Sequence, residues 1–450
     1  MEVKILSKKL IKPSSPTPSH LRHLTLTPVD RLAPPIKASN IFYYPAKGSN
    51  PAVDVERRNR LETSLSETLT RFYPLAGRYI RESHSVDCND EGVEYLEAEV
   101  EGKLSRLLSR RNEVIEQVIH LAGGEFTNSL ASVQVTVFAC GGVTIGVRIR
   151  HSVVDGFTAA HFISAWETAS RESMDKVIWP SFDLASFLPV KDLPMVKPRP
   201  PPKIFGADKV LTRRFIFDGA NISSLKAAAC DPSFKREPSR VEAVTALIWR
   251  ALMVVSRAKH GRLRTSLASH AMNLREKIVP PLPGICCGNL YTEVPATFMA
   301  DSSKTELPNL KDLVGLLREV KFKESVSRED VLLTVIKSTN ELHEALGKED
   351  VDVYNFTSWC RFPFYGNDFG WGKPAWMTRC HTPVEMISLQ DTECGDGIEA
   401  WVTLEKKTCF NSSKMEILCP SVPMELLESL TINWIILWML DFSIFFSLPV

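Results

Sequence analysis

The feature that most constrains the fold is a junction between a strand pattern and a helix pattern around His151. Apolar β-branched residues alternate with other residues from Val143 to Ile149, which is the period of a β-strand. From Ala159 to Trp166, apolar residues recur at the spacing of one helix face. A strand that runs directly into a helix predicts an α/β chain. It also places His151 on a rigid base, where a polar side chain can project into a cleft.

His151 begins the pattern H-x-x-x-D, which ends at Asp155 and is followed by Gly156. Histidine suits proton transfer near neutral pH, because its unperturbed pKa is about 6.5. The pattern also has a structural interpretation, since this spacing arises by chance in many chains and an aspartate before a helix is typical of an N-cap. A catalytic role for His151 therefore depends on a second motif further along the chain.

Composition and charge exclude several classes of protein. The chain has 450 residues, of which 44% are hydrophobic and 24% charged, as in an ordinary globular protein of about two large domains. The net charge is +1 with both signs mixed, which argues against binding to nucleic acid or an acidic membrane surface. The ten cysteines form no C-x-x-C pair, so no metal site is predicted. Residues 1–9 lack the apolar core of a signal peptide, and we expect a cytoplasmic location.

The clearest change of composition inside the chain is a proline-rich stretch at residues 186–208, which we interpret as a semi-rigid crossover. We expect it to separate an N-terminal domain, residues 1–185, from a C-terminal domain, residues 209–430. Each half mixes strand and helix patterns, and some strands form hairpins, as around Gly141-Gly142. The fold class predicted is α/β, with two similar-sized mixed-sheet domains rather than a Rossmann fold.

Periodicity predicts individual elements on both sides of the crossover. The predicted helices cover residues 55–72, 309–322 and 329–346, with a further helix from Ser239. The predicted strands cover residues 133–139, 143–150, 212–218, 265–275, 352–360, 384–390 and 397–404, and one more lies near the amino terminus. Ser239 and Glu242 form a capping box, which fixes where that helix begins.

The second motif is D-F-G-W-G at residues 368–372. The triplet D-F-G occurs in protein kinases, but the chain has neither a glycine-rich loop before it nor an H-R-D sequence, which excludes a kinase. The glycines on either side of Trp371 predict a tight turn in which backbone segments approach closely. We expect Gly370, Trp371 and Gly372 to support this turn.

H-S-V-V-D-G at residues 151–156 and D-F-G-W-G at residues 368–372 together resemble the BAHD acyltransferases of plant specialised metabolism, in particular the vinorine synthase-like branch. Supporting segments are P-S-S-P-T-P at 13–18, F-Y-P-L-A-G-R at 72–78, N-L-R at 273–275, G-N at 288–289, T-S-W at 357–359 and D-G-I-E-A-W at 396–401. The resemblance implies a chloramphenicol-acetyltransferase-like fold with a channel between the two domains. Arg150 stands where the related condensation domains usually carry a second histidine, which counts against that class.

The resemblance also implies a reaction, the transfer of an acyl group from acyl-CoA to a hydroxyl of an alkaloid, terpenoid, sugar or phenolic. Acetyl is the acyl group expected for this branch. His151 would be the general base, and no covalent intermediate is needed. Asp155 is implied to turn away from the substrate and to pair with Arg275, which would fix the loop that carries His151. The partners implied are acyl-CoA and a small-molecule alcohol. No bound cofactor or metal is needed, and a monomer is expected.

Four further positions keep two interpretations each. Thr357 and Trp359 either hydrogen-bond the tetrahedral oxyanion or pack the core of a strand. Asp368, often described as a second active-site residue in the family, is either catalytic or architectural, near the CoA side. Ser239 either binds a phosphate of CoA at the helix N-terminus or only caps the helix.

Residues 431–450 depart from the family pattern. This apolar stretch approaches the ~20 residues of a membrane span, but it contains Asn433 and Asp441 and lacks a basic flank. Three interpretations stay open: a tail anchor, an additional docked segment, or translated non-coding sequence. The intact motifs favour an acyltransferase. The alternative is a catalytically silent homologue that binds a metabolite or a partner, tethered to a membrane by this tail.

Overall fold

The computed structural model describes residues 2–46, 51–109, 128–188, 194–196, 209–301, 306–320, 325–379 and 384–406. Most of the crossover at 186–208 and all of the tail at 431–450 lie outside these residues, so the expectations about both stay predictions. Within the described ranges, none of the helices combines the length and the apolar character that crossing a membrane requires.

The described strands and helices alternate along the chain, and both are numbered here in chain order. The strands are β1 (Lys4–Ile11), β2 (His23–Thr25), β3 (Lys37–Tyr44), β4 (Arg78–Ile80), β5 (Ser85–Asp87), β6 (Val93–Val100), β7 (Ala131–Phe138), β8 (Val143–Arg150), β9 (Pro180–Ser181), β10 (Val210–Phe217), β11 (Thr265–Asn273), β12 (Ile278–Val279), β13 (Ile285–Cys286), β14 (Tyr291–Phe298), β15 (Val326–Ser327), β16 (Val351–Ser358), β17 (Trp376–Arg379), β18 (Met386–Asp391) and β19 (Ile398–Glu405). The helices are α1 (Pro28–Leu32), α2 (Pro51–Arg71), α3 (Leu104–Ser109), α4 (Gly156–Arg171), α5 (Leu184–Phe187), α6 (Gly219–Ala228), α7 (Arg240–His260), α8 (Leu310–Glu319) and α9 (Val331–Leu346).

The first of two large sheets has the strand order β1-β6-β7-β8-β3-β17. Strands β6 and β7 run parallel, and every other neighbouring pair is antiparallel. Alternate residues point to one face because the strand period is two, and this face packs on α2 and α4. Phe42 and Val147 of the sheet meet Leu65 of α2 and Trp166 of α4 in one buried cluster. This core supports the end of β8, where His151 follows.

The second large sheet has the order β10-β19-β18-β16-β11-β14, with β18, β16 and β11 parallel to one another. Helix α7 buries an apolar face that includes Trp249 in the core of this sheet. Ser239 is its N-cap in a complete capping box with Glu242, as predicted. Gly261 ends the helix in the left-handed conformation, with a φ of 72°.

The predicted α/β fold class is confirmed. The chain forms two large sheets, each with parallel and antiparallel strands, and helices pack on both. Strand β8 has the predicted bounds, and α2 begins four residues earlier than predicted, at Pro51. Among the strands of the two large sheets, β3, β14 and β17 escaped prediction. The sequence of β3 shows the reason, because its buried positions include the polar Ser39 and Asn40, which interrupt the apolar alternation.

Strand β17 crosses from one half of the chain to the other. It follows the D-F-G-W-G motif in sequence, yet it pairs with β3 of the first sheet, with Trp376 opposite Tyr43. The Tyr43 and Thr378 hydroxyls lie 2.9 Å apart, and Trp376 stacks on Trp401 of β19 at 6.2 Å between ring centroids. The first sheet is therefore completed by a strand from the second half of the chain.

Candidate active site

His151 lies between the end of β8 and the first residue of α4, as the sequence indicated. Its backbone N–H donates to the carbonyl oxygen of Ile36 at 2.9 Å, which ties the loop to the residue before β3. The half-buried imidazole meets the ring of Tyr291 edge to face, with 5.7 Å between centroids. Tyr291 belongs to β14, so His151 stands where the two halves of the chain meet.

The surroundings of His151 favour a neutral imidazole. Burial lowers the pKa of His151 from its ordinary value of 6.5, and its own backbone carbonyl, the charge of Asp155 and a contact with Asn289 oppose this shift. The positive charge of Arg379 adds to the lowering. Ring atom Nδ1 is buried and has no hydrogen-bond partner among the described residues. A neutral imidazole near pH 7 can accept a proton.

Asp155 is the N-cap of α4 and part of the brace behind His151. Its Oδ1 accepts the Thr158 N–H at 2.9 Å, and its Oδ2 accepts the Leu290 N–H at 3.0 Å and an Arg275 Nη1 bond at 2.7 Å. Burial alone would raise the pKa of Asp155, but the Arg275 guanidinium and these backbone bonds bring it below its ordinary value. Both carboxylate oxygens are engaged by the protein, which fits positioning rather than proton transfer.

Arg275 connects Asp155 to the second half of the chain. The side chains of this ion pair are 10% and 6% exposed, for Arg275 and Asp155 respectively. Arg275 also donates to the carbonyl oxygens of Cys286 at 2.8 Å and Gly288 at 2.9 Å, and its guanidinium lies 4.3 Å from the ring centroid of Phe157. The pair that the resemblance implied is present, and it spans the junction between the halves.

Asn289 and Asp30 form a second brace that the sequence analysis missed. Asn289 Nδ2 donates to the His151 carbonyl oxygen at 2.7 Å and to Asp30 Oδ1 at 2.9 Å. Asp30 Oδ2 accepts the Thr27 N–H at 2.7 Å in the capping box of α1, and burial raises the pKa of Asp30 to about 6. The capping pattern from Thr27 to Asp30 was a readable signal, but nothing in the sequence linked it to His151.

The D-F-G-W-G turn is held together by its own aspartate. Asp368 Oδ1 accepts the Gly370 N–H at 2.9 Å and the Gly372 N–H at 2.6 Å. Both glycines have positive φ angles, 102° and 109°, as the predicted tight turn requires. Trp371 packs edge to face on Tyr44 of β3, with 6.0 Å between centroids. The turn is therefore docked on the first sheet, and the hydrogen bonds of Asp368 fold the turn itself.

Trp359 lies against the loop that carries His151, whereas Thr357 lies two residues earlier on β16. The buried indole stacks on Phe364 at 5.6 Å, and its Cζ2 would be 3.5 Å from a Cβ atom placed on Gly156. Thr357 is half-buried and pairs with Ala271 and Ser388 on the neighbouring strands. The structure therefore brings Trp359 to the start of α4.

Ser239 is engaged in capping α7. Its Oγ accepts the Glu242 N–H at 3.2 Å, and its own N–H donates to Glu242 Oε2 at 2.7 Å. Burial alone would raise the pKa of Glu242, but hydrogen bonds from Arg236 and Arg318 bring it down to about 2. A carboxylate thus already occupies this helix N-terminus, with two arginines beside it.

Comparison with known proteins assigns the class. A family model described as "Transferase family" matches residues 1–415. Vinorine synthase of Rauvolfia serpentina is 35% identical over 89% of this chain and 93% of its own, and the crystal structure of vinorine synthase superposes with a TM-score of 0.76 at 34% identity, covering 90% of this chain and 96% of that one. Limonoid 21-O-acetyltransferase of Melia azedarach is 36% identical (90% and 95% covered), and acetyl-CoA-benzylalcohol acetyltransferase of Clarkia breweri is 34% identical (88% and 94% covered).

The two mixed sheets and the match to these relatives identify an acyltransferase with a chloramphenicol-acetyltransferase-like fold. The family match and the relatives then place it more narrowly. The chain belongs to the plant BAHD acyltransferase family.

Proposed function

We propose that this protein is an acyl-CoA-dependent O-acyltransferase in which His151 is the general base. The observation that carries the proposal is the environment of His151, whose loop is braced on two sides where the halves of the chain meet and whose pKa is lowered by burial. A general base of this kind contributes roughly 10²–10⁴-fold to the rate. Two substrates held in one channel gain a further proximity effect.

In the proposed reaction, the alcohol oxygen attacks the thioester carbonyl while its proton moves to Nε2 of His151. The tetrahedral intermediate then collapses, the carbon–sulfur bond breaks, and the proton passes from His151 to the leaving thiolate. The products are the ester and free CoA. A covalent acyl-cysteine step has no support at Cys287, because burial raises the pKa of this thiol to about 12.

Other residues take supporting roles in this proposal. Trp359 is the better placed of the two oxyanion candidates, since its indole lies beside the loop that carries His151, while Thr357 is the second candidate. Asp155 and Arg275 hold the loop in place. Asp368 is assigned an architectural role, because its carboxylate binds the turn glycines.

The donor and the acceptor are proposed from the relatives. Acetyl-CoA is the proposed donor, since the names of two of the relatives specify acetyl transfer. The proposed acceptor is a hydroxyl of an alkaloid, terpenoid, sugar or phenolic. Contact between Ser239 and a CoA phosphate has less support, because the Glu242 carboxylate already lies at that helix end. A cytoplasmic location and a monomeric state stay predictions from the sequence.

The test is acceptor-dependent release of the CoA thiol. Purified protein is incubated with acetyl-CoA and pooled plant alcohols, beside His151→Ala, and products are read by mass spectrometry. We expect thiol release and a product heavier by one acetyl group, both lost in the variant. A folded protein that binds no acyl-CoA would contradict the proposal and favour the catalytically silent homologue.

A further inference from the structure

Two cationic residues lie directly beside His151 at one end of the first sheet. Lys37 begins β3 and Arg150 ends β8, and the two residues are opposite each other in the antiparallel ladder. The hydrogen bond from the His151 N–H to the Ile36 carbonyl oxygen, 2.9 Å long, joins the residues next to them. Opposite residues of a ladder share a face, so Lys37 and Arg150 point the same way, and alternation places Arg148 of β8 on that face too.

The face that carries these cations is the one that meets the second half of the chain. Tyr43 lies on β3 at the same parity as Lys37, so strand alternation places both side chains on one face. Tyr43 packs in a buried cluster with Trp376 and with Trp401 of β19, a strand of the second sheet. Helices α2 and α4 cover the opposite face. The cations therefore lie where the two halves meet, next to the loop that carries His151.

Lys37 is half-buried and lacks a counter-ion. Among the described residues, the structure shows no salt bridge for Lys37 or Arg150. Glu94, the acid whose charge acts on Lys37, is already paired with Lys8 at 3.0 Å. Burial lowers the pKa of Lys37 to about 8, and the positive charges of Arg148 and Arg150 add to the lowering. Like charges opposite each other on neighbouring strands are unfavourable, and an anion bound between them would remove this cost.

The guanidinium of Arg150 is held flat against an aromatic ring. It lies 4.9 Å from the centroid of the Tyr79 ring, and within the described part of the chain its buried Nε has no hydrogen-bond partner. A guanidinium presents a planar fork of N–H donors that matches a carboxylate, and a lysine ammonium acts as a compact point charge. A stacked arginine beside a lysine is therefore suited to bind one carboxylate.

We propose that Lys37 and Arg150 form a subsite that binds a carboxylate of the acceptor alcohol. This inference rests on the proposed function, because it names a chemical property of the acceptor. The subsite adjoins the loop of the proposed general base, so its anion belongs to the substrate whose hydroxyl reacts there. The phosphates of acyl-CoA are separated from the thioester by the pantetheine arm and are less suited to this position. The acceptor class assigned is a hydroxylated acid.

The experiment compares acceptors that differ only in a carboxylate. The full-length protein is labelled with ¹³C at lysine Cε, and the Lys37 NMR signal is assigned from its loss in Lys37→Arg. The probes are 2-, 3- and 4-(hydroxymethyl)benzoate beside benzyl alcohol. We expect at least one benzoate to shift the Lys37 signal and raise the Lys37 pKa, and benzyl alcohol to do neither. Arg150→Met should weaken the affinity for that benzoate by about tenfold, since a charge-assisted hydrogen bond is lost. Arg150→Lys keeps the charge and should lose less. Lys4→Met, which removes a cation paired with Glu99 on β1, is the matched control and should leave the affinity unchanged.

Calorimetric titration with CoA separates the two sources of an anion. An acceptor subsite predicts that folded Lys37→Met binds CoA as tightly as the unchanged protein. A loss of CoA affinity of about tenfold in this variant would assign the cations to a phosphate of CoA and overturn the acceptor class. A Lys37 signal that no benzoate moves would also overturn the inference. These binding measurements need no turnover, whereas full activity of His151→Ala would overturn the proposed function, so the two failures are distinguishable.

Discussion

The loop that carries His151 follows strand β8, and the D-F-G-W-G turn precedes strand β17, yet both contain an aspartate that accepts backbone N–H groups. Their aspartates nevertheless act over different distances. Asp155 binds Arg275 and the Leu290 N–H from the other half of the chain, whereas Asp368 binds Gly370 and Gly372 within its own turn. The first loop is therefore held by contacts with the other half of the chain, and the second is held by hydrogen bonds within the turn.

The difference favours structural roles for both motif aspartates, as proposed above, because their oxygens accept hydrogen bonds from the protein itself. The fixed charge of Asp155 holds a buried arginine, and Asp368 supplies one oxygen that two N–H groups share. Loss of activity on mutation would not separate such roles from catalysis, because both changes disturb the position of other groups. The two roles are separated by variants that remove one property of a carboxylate, such as its charge, and keep another, such as its hydrogen-bond acceptor.

The largest expected effect concerns His151. His151→Ala should lower kcat/KM by about 10²–10⁴-fold, because the alcohol loses its proton acceptor. Its unfolding midpoint should stay close to that of the unchanged protein, measured by thermal denaturation. Substantial turnover in a folded His151→Ala protein would show that another group is the base.

The next largest effect concerns the stability that the Asp155–Arg275 ion pair gives to the folded protein. Asp155→Ala leaves Arg275 buried without its counter-ion, and we expect a loss of about 3–5 kcal/mol in the free energy of unfolding. Urea unfolding measures this value. Asp155→Ala combined with Arg275→Met should cost less than the sum of the two single changes, and strict additivity would contradict the pairing.

Substitutions of Asp368 in the D-F-G-W-G turn should change stability less, and the size of the change should depend on the residue introduced. Asp368→Ala removes the acceptor of two N–H groups and should cost about 1–3 kcal/mol. Asp368→Asn keeps one acceptor oxygen, so stability and kcat should stay near those of the unchanged protein. If folded Asp368→Asn were inactive, the carboxylate charge would be needed in catalysis and the comparison of the two loops would fail.

The smallest effect is on pH dependence. Burial and Arg379 lower the pKa of His151, so the acidic limb of kcat/KM should lie below pH 6.5. Asp155→Asn removes a negative charge that favours imidazolium, and it should move this limb to still lower pH. Asp368→Asn should leave it in place. A pH profile from 5 to 8 with all three proteins, in which both variants moved alike, would contradict this assignment.

Local patterns predicted much of this fold, and contacts between distant segments account for the rest. The junction of β8 and α4 and the cap of α7 were readable because alternation and capping involve residues close in sequence. Strand β17 has four residues, too few for a period, and its place beside β3 depends on the whole fold. Asn289 appeared only as part of a supporting segment, since its bond to the His151 carbonyl joins residues 138 positions apart.

The placement of β17 bears on how new specificities can be engineered in this scaffold. A chimera that exchanged the chain only at the proline-rich crossover would pair the first sheet with a foreign β17, and Trp376 would meet a Tyr43 from another parent. A recombination scheme should instead transfer residues 366–379 together with the first half. The segments that should be exchanged together are therefore discontinuous in sequence, and breakpoints chosen only at domain boundaries would separate them.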